Sequence, residues 1–159
     1  LDGNGRLGRI LLILYLYDKK VTTYPAFFVS EELERNKFKY YAMLNGLRTT
    51  TPKWYDWLNF FLISAEQQAE NYINKLTRIE NLYESLIDFA EKHSIHHDFV
   101  RVMFSFPMFN VKTMAQKLSL SENTIRRYCN LFLEHNLIYS DDKRRNRQYI
   151  LYDLLDIIK

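Results

Sequence analysis

The sequence predicts an all-α fold carrying a small β-wing, and three observations point to it. Only four of the 159 residues are glycine and three are proline, so helices are expected to run long with few breaks. From Ala69 to Ala90, apolar residues recur at intervals of three and four, the period of one helix face. Late in the chain two short runs, Leu137 to Tyr139 and Arg147 to Ile150, flank a polar tip from Asp141 to Asn146, the pattern of a hairpin.

The chain opens on Asp2-Gly3-Asn4-Gly5-Arg6, with Arg9 following, just before the apolar run Ile10 to Tyr17. Such a stretch forms a tight loop feeding a helix N-terminus. Successive backbone N–H groups there can cradle an anion. Asp2 is suited to hold a divalent cation, and Arg6 and Arg9 to hold phosphate oxygens. The apolar run is too short to span a bilayer, so no membrane partner is expected.

The first helix is expected to end at Asp18-Lys19-Lys20, and Tyr24-Pro25 marks an extended connection. Ser30 is predicted to cap a helix running to about Leu47, with Glu31, Glu32 and Glu34 in its first turn. Thr49-Thr50-Thr51-Pro52 breaks the chain, and a long helix is expected from Trp54. Its seam of Ala69, Tyr72, Leu76, Ile79, Tyr83, Leu86 and Ala90 packs on the chain's own core in the simpler reading, and against a second copy as a homodimer in the alternative.

A domain boundary is predicted at His93-Ser94-Ile95-His96-His97, dividing the chain into residues 1–95 and 96–159. These histidines match no zinc-ligand spacing and read as a solvated linker. Beyond them, Phe99 to Phe106 and Val111 to Leu118 are expected to be helical. Ser119-Leu120-Ser121 turns the chain, and Ser121 caps a helix from Glu122 to about His135. In that helix Ile125, Tyr128, Cys129 and Phe132 face inward, while Asn123, Arg126, Arg127 and Asn130 face outward. A last helix covers Asp153 to Ile158. The pattern from 96 onward resembles a winged helix-turn-helix, with Ser119 standing where the turn usually carries glycine.

Charge is unevenly placed. Residues 1–96 hold twelve basic and twelve acidic side chains, whereas residues 97–159 hold ten and seven, so the whole net charge of +3 lies in the second part. That excess permits nucleic-acid binding without requiring it. Candidate contacts to double-stranded DNA are Asn123, Arg126 and Arg127 on the helix and Lys143, Arg144, Arg145 and Arg147 on the wing. Protein docking and plain packing remain open for the same module. The single cysteine, Cys129, excludes an internal disulfide and fits a reducing, cytoplasmic setting.

The opening residues also resemble the second half of the signature of the Fic (filamentation-induced-by-cAMP) family, His-Pro-Phe-x-Asp/Glu-Gly-Asn-Gly-Arg-x-x-Arg. Leu1 stands at its x, and Asp2, Gly3, Asn4, Gly5, Arg6 and Arg9 match every later fixed position. Winged helix-turn-helix modules follow the catalytic domain in many members. Tyr40-Tyr41 and the stretch from Trp54 to Leu62 are also similar to the family's pattern.

The resemblance implies a protein adenylyltransferase, which moves AMP from Mg-ATP to a hydroxyl side chain of a target protein. Asp2 would bind Mg²⁺, Gly3 and Gly5 would let the backbone approach the phosphates, and Asn4 would shape the loop. Arg6 and Arg9 would clamp phosphate oxygens, and Tyr41 would pack near the adenine or ribose. Gly5 favours AMP transfer, since the phosphotransferase branch, the Doc-type toxins, carries lysine there. The family's general base is the histidine of His-Pro-Phe, which would stand before Leu1. General bases supply about 10²–10⁴-fold in rate, so this chain is expected to be the C-terminal part of the enzyme and inactive by itself. The family is often restrained by an inhibitory glutamate that pairs with the arginine matching Arg9; no matching motif is evident in this sequence, and one, if it exists, would lie upstream. The alternatives are a DNA-binding winged-helix regulator and a Fic relative that binds nucleotide without transferring it.

Overall fold

The structure, a computed structural model, describes residues 4–25, 28–141, 143 and 146–159, with the side chains of Asn4 and Arg6 outside the description. It is mostly helical, with one small three-stranded antiparallel sheet. The chain divides into two compact units, Leu1–Ile73 and Asn74–Lys159.

The first unit holds α1 (Asn4–Asp18), α2 (Ser30–Arg35), α3 (Lys37–Gly46) and the beginning of α4 (Trp54–Lys92). Its small core gathers Val29, Leu33, Phe60 and Phe61, with Leu12, Met43 and Trp57 packed against them. The rings of Trp57 and Phe61 stack with centres 5.6 Å apart.

Ser30 is not a cap: it is the first residue of α2, and Val29 occupies the cap position. The Leu33 amide donates to the Val29 carbonyl at 3.1 Å, and Val29 is buried in the core, so apolar anchoring starts the helix where the hydroxyl would have capped it. The single helix expected to reach Leu47 is also interrupted, at Asn36. Its side-chain amide donates to both the backbone carbonyl and the carboxylate of Glu32, at 3.1 and 2.7 Å, the kind of local bond that competes with helix continuation. Glu32 is buried, paired with Arg35 at 2.9 Å, and its own amide donates to Gln68 on α4. A satisfied polar network therefore ties α2 to α4.

The second unit holds the end of α4, then α5 (His97–Ser105), β1 (Met108–Asn110), α6 (Val111–Leu118), α7 (Glu122–Glu134), β2 (Tyr139–Ser140), β3 (Gln148–Ile150) and α8 (Tyr152–Ile158). The sheet order is β1-β3-β2, with Phe109 opposite Tyr149 and Ser140 opposite Tyr149 on the other side. Strand β1 went unanticipated in the sequence, because three residues between two helices carry no alternation to read. Phe99, wholly buried, sits at the centre of the core with Phe109, Tyr128 and Phe132 around its ring. The expected inward residues of α7, Ile125, Tyr128, Cys129 and Phe132, are all buried, and Asn123, Arg126, Arg127 and Asn130 are exposed.

The seam of α4 packs on this core through Ile79, Tyr83, Leu86 and Ala90, while Leu76 is 60% exposed. Residues 74–95, read from sequence with the first domain, thus contribute Leu86, Ala90 and Ile95 to the second core.

Helices α4 and α7 stop by the same device. His93 and His135 take the cap positions, Ser94 and Asn136 follow in the left-handed region, and the amides of Ile95 and Leu137 reach back to Ala90 and Phe132. This is the Schellman arrangement. The turn between α6 and α7 uses it too: Ser119 has φ 54° and the Leu120 amide donates to Ala115. The expected linker at 93–97 is therefore ordered structure. His93 packs on Phe89, and the His96 ring accepts from the Asp98 amide at the start of α5.

Among the described residues, no helix is long and apolar enough to cross a membrane.

Candidate functional site

The glycine-rich opening is only partly described. Asp2 and Gly3 lie outside the described residues, as do the side chains of Asn4 and Arg6. Helix α1 begins at Asn4, inside the motif, so Gly5 belongs to its first turn. A Cβ at Gly5 would meet only the Arg9 guanidinium, at 3.9 Å, and one at Gly8 would meet nothing. Glycine inside a helix costs about 0.5–1 kcal/mol relative to alanine, and among the described residues no protein atom requires it at either position.

Arg9 is half-buried, one turn beyond Gly5, and lines a recess of about 20 Å³ with Val29, Ser30, Leu33 and Phe61 among its walls. That space is too small for a nucleotide. Tyr41 is exposed on α3, its ring 5.5 Å from that of Tyr40. Gly5 and Arg9 are thus brought together, and Tyr41 pairs with its neighbour. Among the described residues, no group of three or more His, Cys, Asp or Glu side chains could jointly hold a metal ion.

The second unit carries a larger cleft, about 320 Å³, lined by Asn110, Lys112, Glu122, Arg126, Asn146 and Arg147. Two well-capped helix starts build it. Asn110 and Thr113 bond reciprocally at the start of α6, and the Ser121 hydroxyl accepts from the Thr124 amide at the start of α7. Three basic residues from α6, α7 and the hairpin thereby meet one opening. Glu122 pairs with Arg126 across one helical turn. Arg127 lies 5.4 Å from the ring centre of Tyr128.

Asp141 organises the hairpin tip. One carboxylate oxygen accepts from the amides of Gln148 and Lys143, at 3.0 and 3.3 Å, and the other meets the Lys143 ammonium at 3.2 Å. Partial burial pushes its carboxyl upward, but the Gln148 and Lys143 hydrogen bonds and the lysine charge outweigh that and hold it below its ordinary value. Lys143 is exposed and Arg147 half-buried, while Arg144 and Arg145 lie outside the described residues.

Lys112 and Asn110 were missed in the sequence. The only available signal was a basic residue just after a helix start, and its relation to Arg126 exists only once α6 packs on α7. Cys129 is buried, and burial pushes its thiol up to about 12, so it is no nucleophile.

No protein-family model matches the chain.

Proposed function

We propose that this chain contributes the phosphate-binding loop and following helices of a Fic-type adenylyltransferase. In this reading AMP passes from Mg-ATP to a hydroxyl of a target protein. The target oxygen bonds to the α-phosphorus, pyrophosphate leaves, and the proton goes to the family's general base, the histidine of His-Pro-Phe. One observation carries the reading: six motif residues at fixed spacing, from Asp2 to Arg9, run into the start of a helix whose first-turn glycine no contact among the described residues explains. A helix N-terminus with backbone N–H groups and two arginines suits a polyphosphate. Mg²⁺, when bound, neutralises phosphate charge, and Asp2 offers the hard oxygen ligand such an ion takes.

The test is Mg-ATP binding by the chain, lost in Asp2→Ala and weakened at least tenfold in Arg9→Ala. AMP labelling of protein is expected from a chain in which the family's His-Pro-Phe is placed directly before Leu1, and not from residues 1–159 alone. Transfer by this chain alone, or indifference of ATP binding to both substitutions, would overturn the assignment.

The cleft favours a second reading for the C-terminal unit, that of a winged helix-turn-helix contacting duplex DNA. Helix α6, the turn at Ser119, helix α7 and the hairpin support the first part of that reading. Lys112, Arg126 and Arg147 around one opening support the second, since phosphate contacts dominate DNA affinity. A salt titration of duplex binding tests it, and absence of binding at low salt leaves protein docking.

A further inference from the structure

Two histidines that the sequence separates widely meet in the second unit, their ring planes tilted by 65°. The His93 and His135 ring centres are 5.4 Å apart. Each caps its helix, and each uses Nδ1 in the same way, against the carbonyl four residues earlier: Phe89 for His93 and Leu131 for His135, both at 2.9 Å. A carbonyl only accepts, so in each neutral ring Nδ1 carries the proton and Nε2 carries the lone pair. That is the tautomer of a metal-ligating histidine, with the backbone carbonyl in the outer position that usually fixes it. Phe89 holds both rings, stacked on His93 at 4.1 Å and edge-on to His135 at 4.9 Å.

We propose that His93 and His135 together bind one divalent transition-metal ion of the imidazole-preferring class, Zn²⁺, Ni²⁺ or Cu²⁺. Two imidazoles sharing such an ion at about 2.0–2.1 Å per nitrogen put their ring centres about 5 Å apart, close to the spacing here. The ends of α4 and α7 add to the attraction, because each helix C-terminus carries roughly half a negative charge. His135 is exposed and His93 half-buried, so water can complete the coordination. Nitrogen ligands separate this site from the hard, oxygen-ligated Mg²⁺ expected at Asp2. The bound ion would clip the end of α4 to the end of α7.

The experiment uses the full chain, freed of metal by a chelator and titrated with Ni²⁺ and with Zn²⁺. Heat and the histidine ring resonances are followed together. The expected result is one ion per chain, with the His93 and His135 ring signals shifting in concert. His135→Gln, a change at an exposed ring, weakens binding at least tenfold, while His97→Gln leaves it unchanged. Failure to saturate by millimolar metal, binding that survives His135→Gln, or shifts confined to His96 and His97 would each overturn the site. The ring signals of the unsubstituted chain decide the question even if a variant fails to fold.

Discussion

The carboxylate of Glu122 holds the guanidinium of Arg126 at 3.1 Å, one turn apart on the outer face of α7. Both side chains are at least half exposed, so the pair adds little stability. Its effect is on the cleft, where it cancels one of the three positive charges. Glu122→Gln is therefore expected to strengthen duplex binding at low salt. Arg126→Ala should weaken it and reduce the log–log salt slope by about 1. Fluorescence anisotropy across a salt series checks both, and an unchanged slope in Arg126→Ala would remove Arg126 from the phosphate contacts.

Ser119 takes a left-handed conformation, φ 54°, between α6 and α7, which costs a side-chain-bearing residue about 1–2 kcal/mol. Glycine at this position adopts it freely but also loosens the unfolded chain. Ser119→Gly is accordingly expected to stabilise the second unit by about 1 kcal/mol, read from the midpoint of urea unfolding at constant m-value.

The core of the second unit includes Leu86, Ala90 and Ile95. A fragment of residues 74–159 is expected to unfold cooperatively. A fragment of residues 96–159, which lacks all three, should show weakened cooperativity and exposed apolar surface. In the longer fragment Leu86→Ala should cost about 2–5 kcal/mol. Calorimetry of the two fragments makes the comparison, and equal stability would place Leu86 outside the folding unit.

Asp141 ties the hairpin together in its ionised form. Its carboxyl is held below its ordinary value, so its stabilising effect is present above the unfolded-state value and is lost as pH falls through the folded one. Hydrogen exchange at the Gln148 amide, which donates to this carboxylate, should accelerate relative to the core on acidification into that range. Asp141→Ala should abolish this pH dependence. Equal pH dependence in both proteins would assign the effect to another group.

Cys129 is wholly buried, with its thiol pushed up to about 12. Alkylation by iodoacetamide at neutral pH should be undetectable in the folded chain and rapid in denaturant. Its rate can thus serve as a probe of opening in the second unit.

Local chemistry was readable in the sequence because it depends on residues a few positions apart. Ser121 as a cap, the buried and exposed faces of α7, the extent of α6 and the break before Trp54 all follow from hydrogen bonds and helical periodicity within one element. The motif from Asp2 to Arg9 is of this kind. Tertiary structure decided the rest. Burial of Val29 overrode the capping preference of Ser30. Pairing with β3 made a strand of Met108–Asn110, and packing of α6 on α7 brought Lys112 to the cleft of Arg126 and Arg147. Packing of α4 and α7 around Phe89 joined His93 to His135. A short strand, a shared cleft and a histidine pair are relations between distant segments, and no local pattern encodes the free energy that selects them.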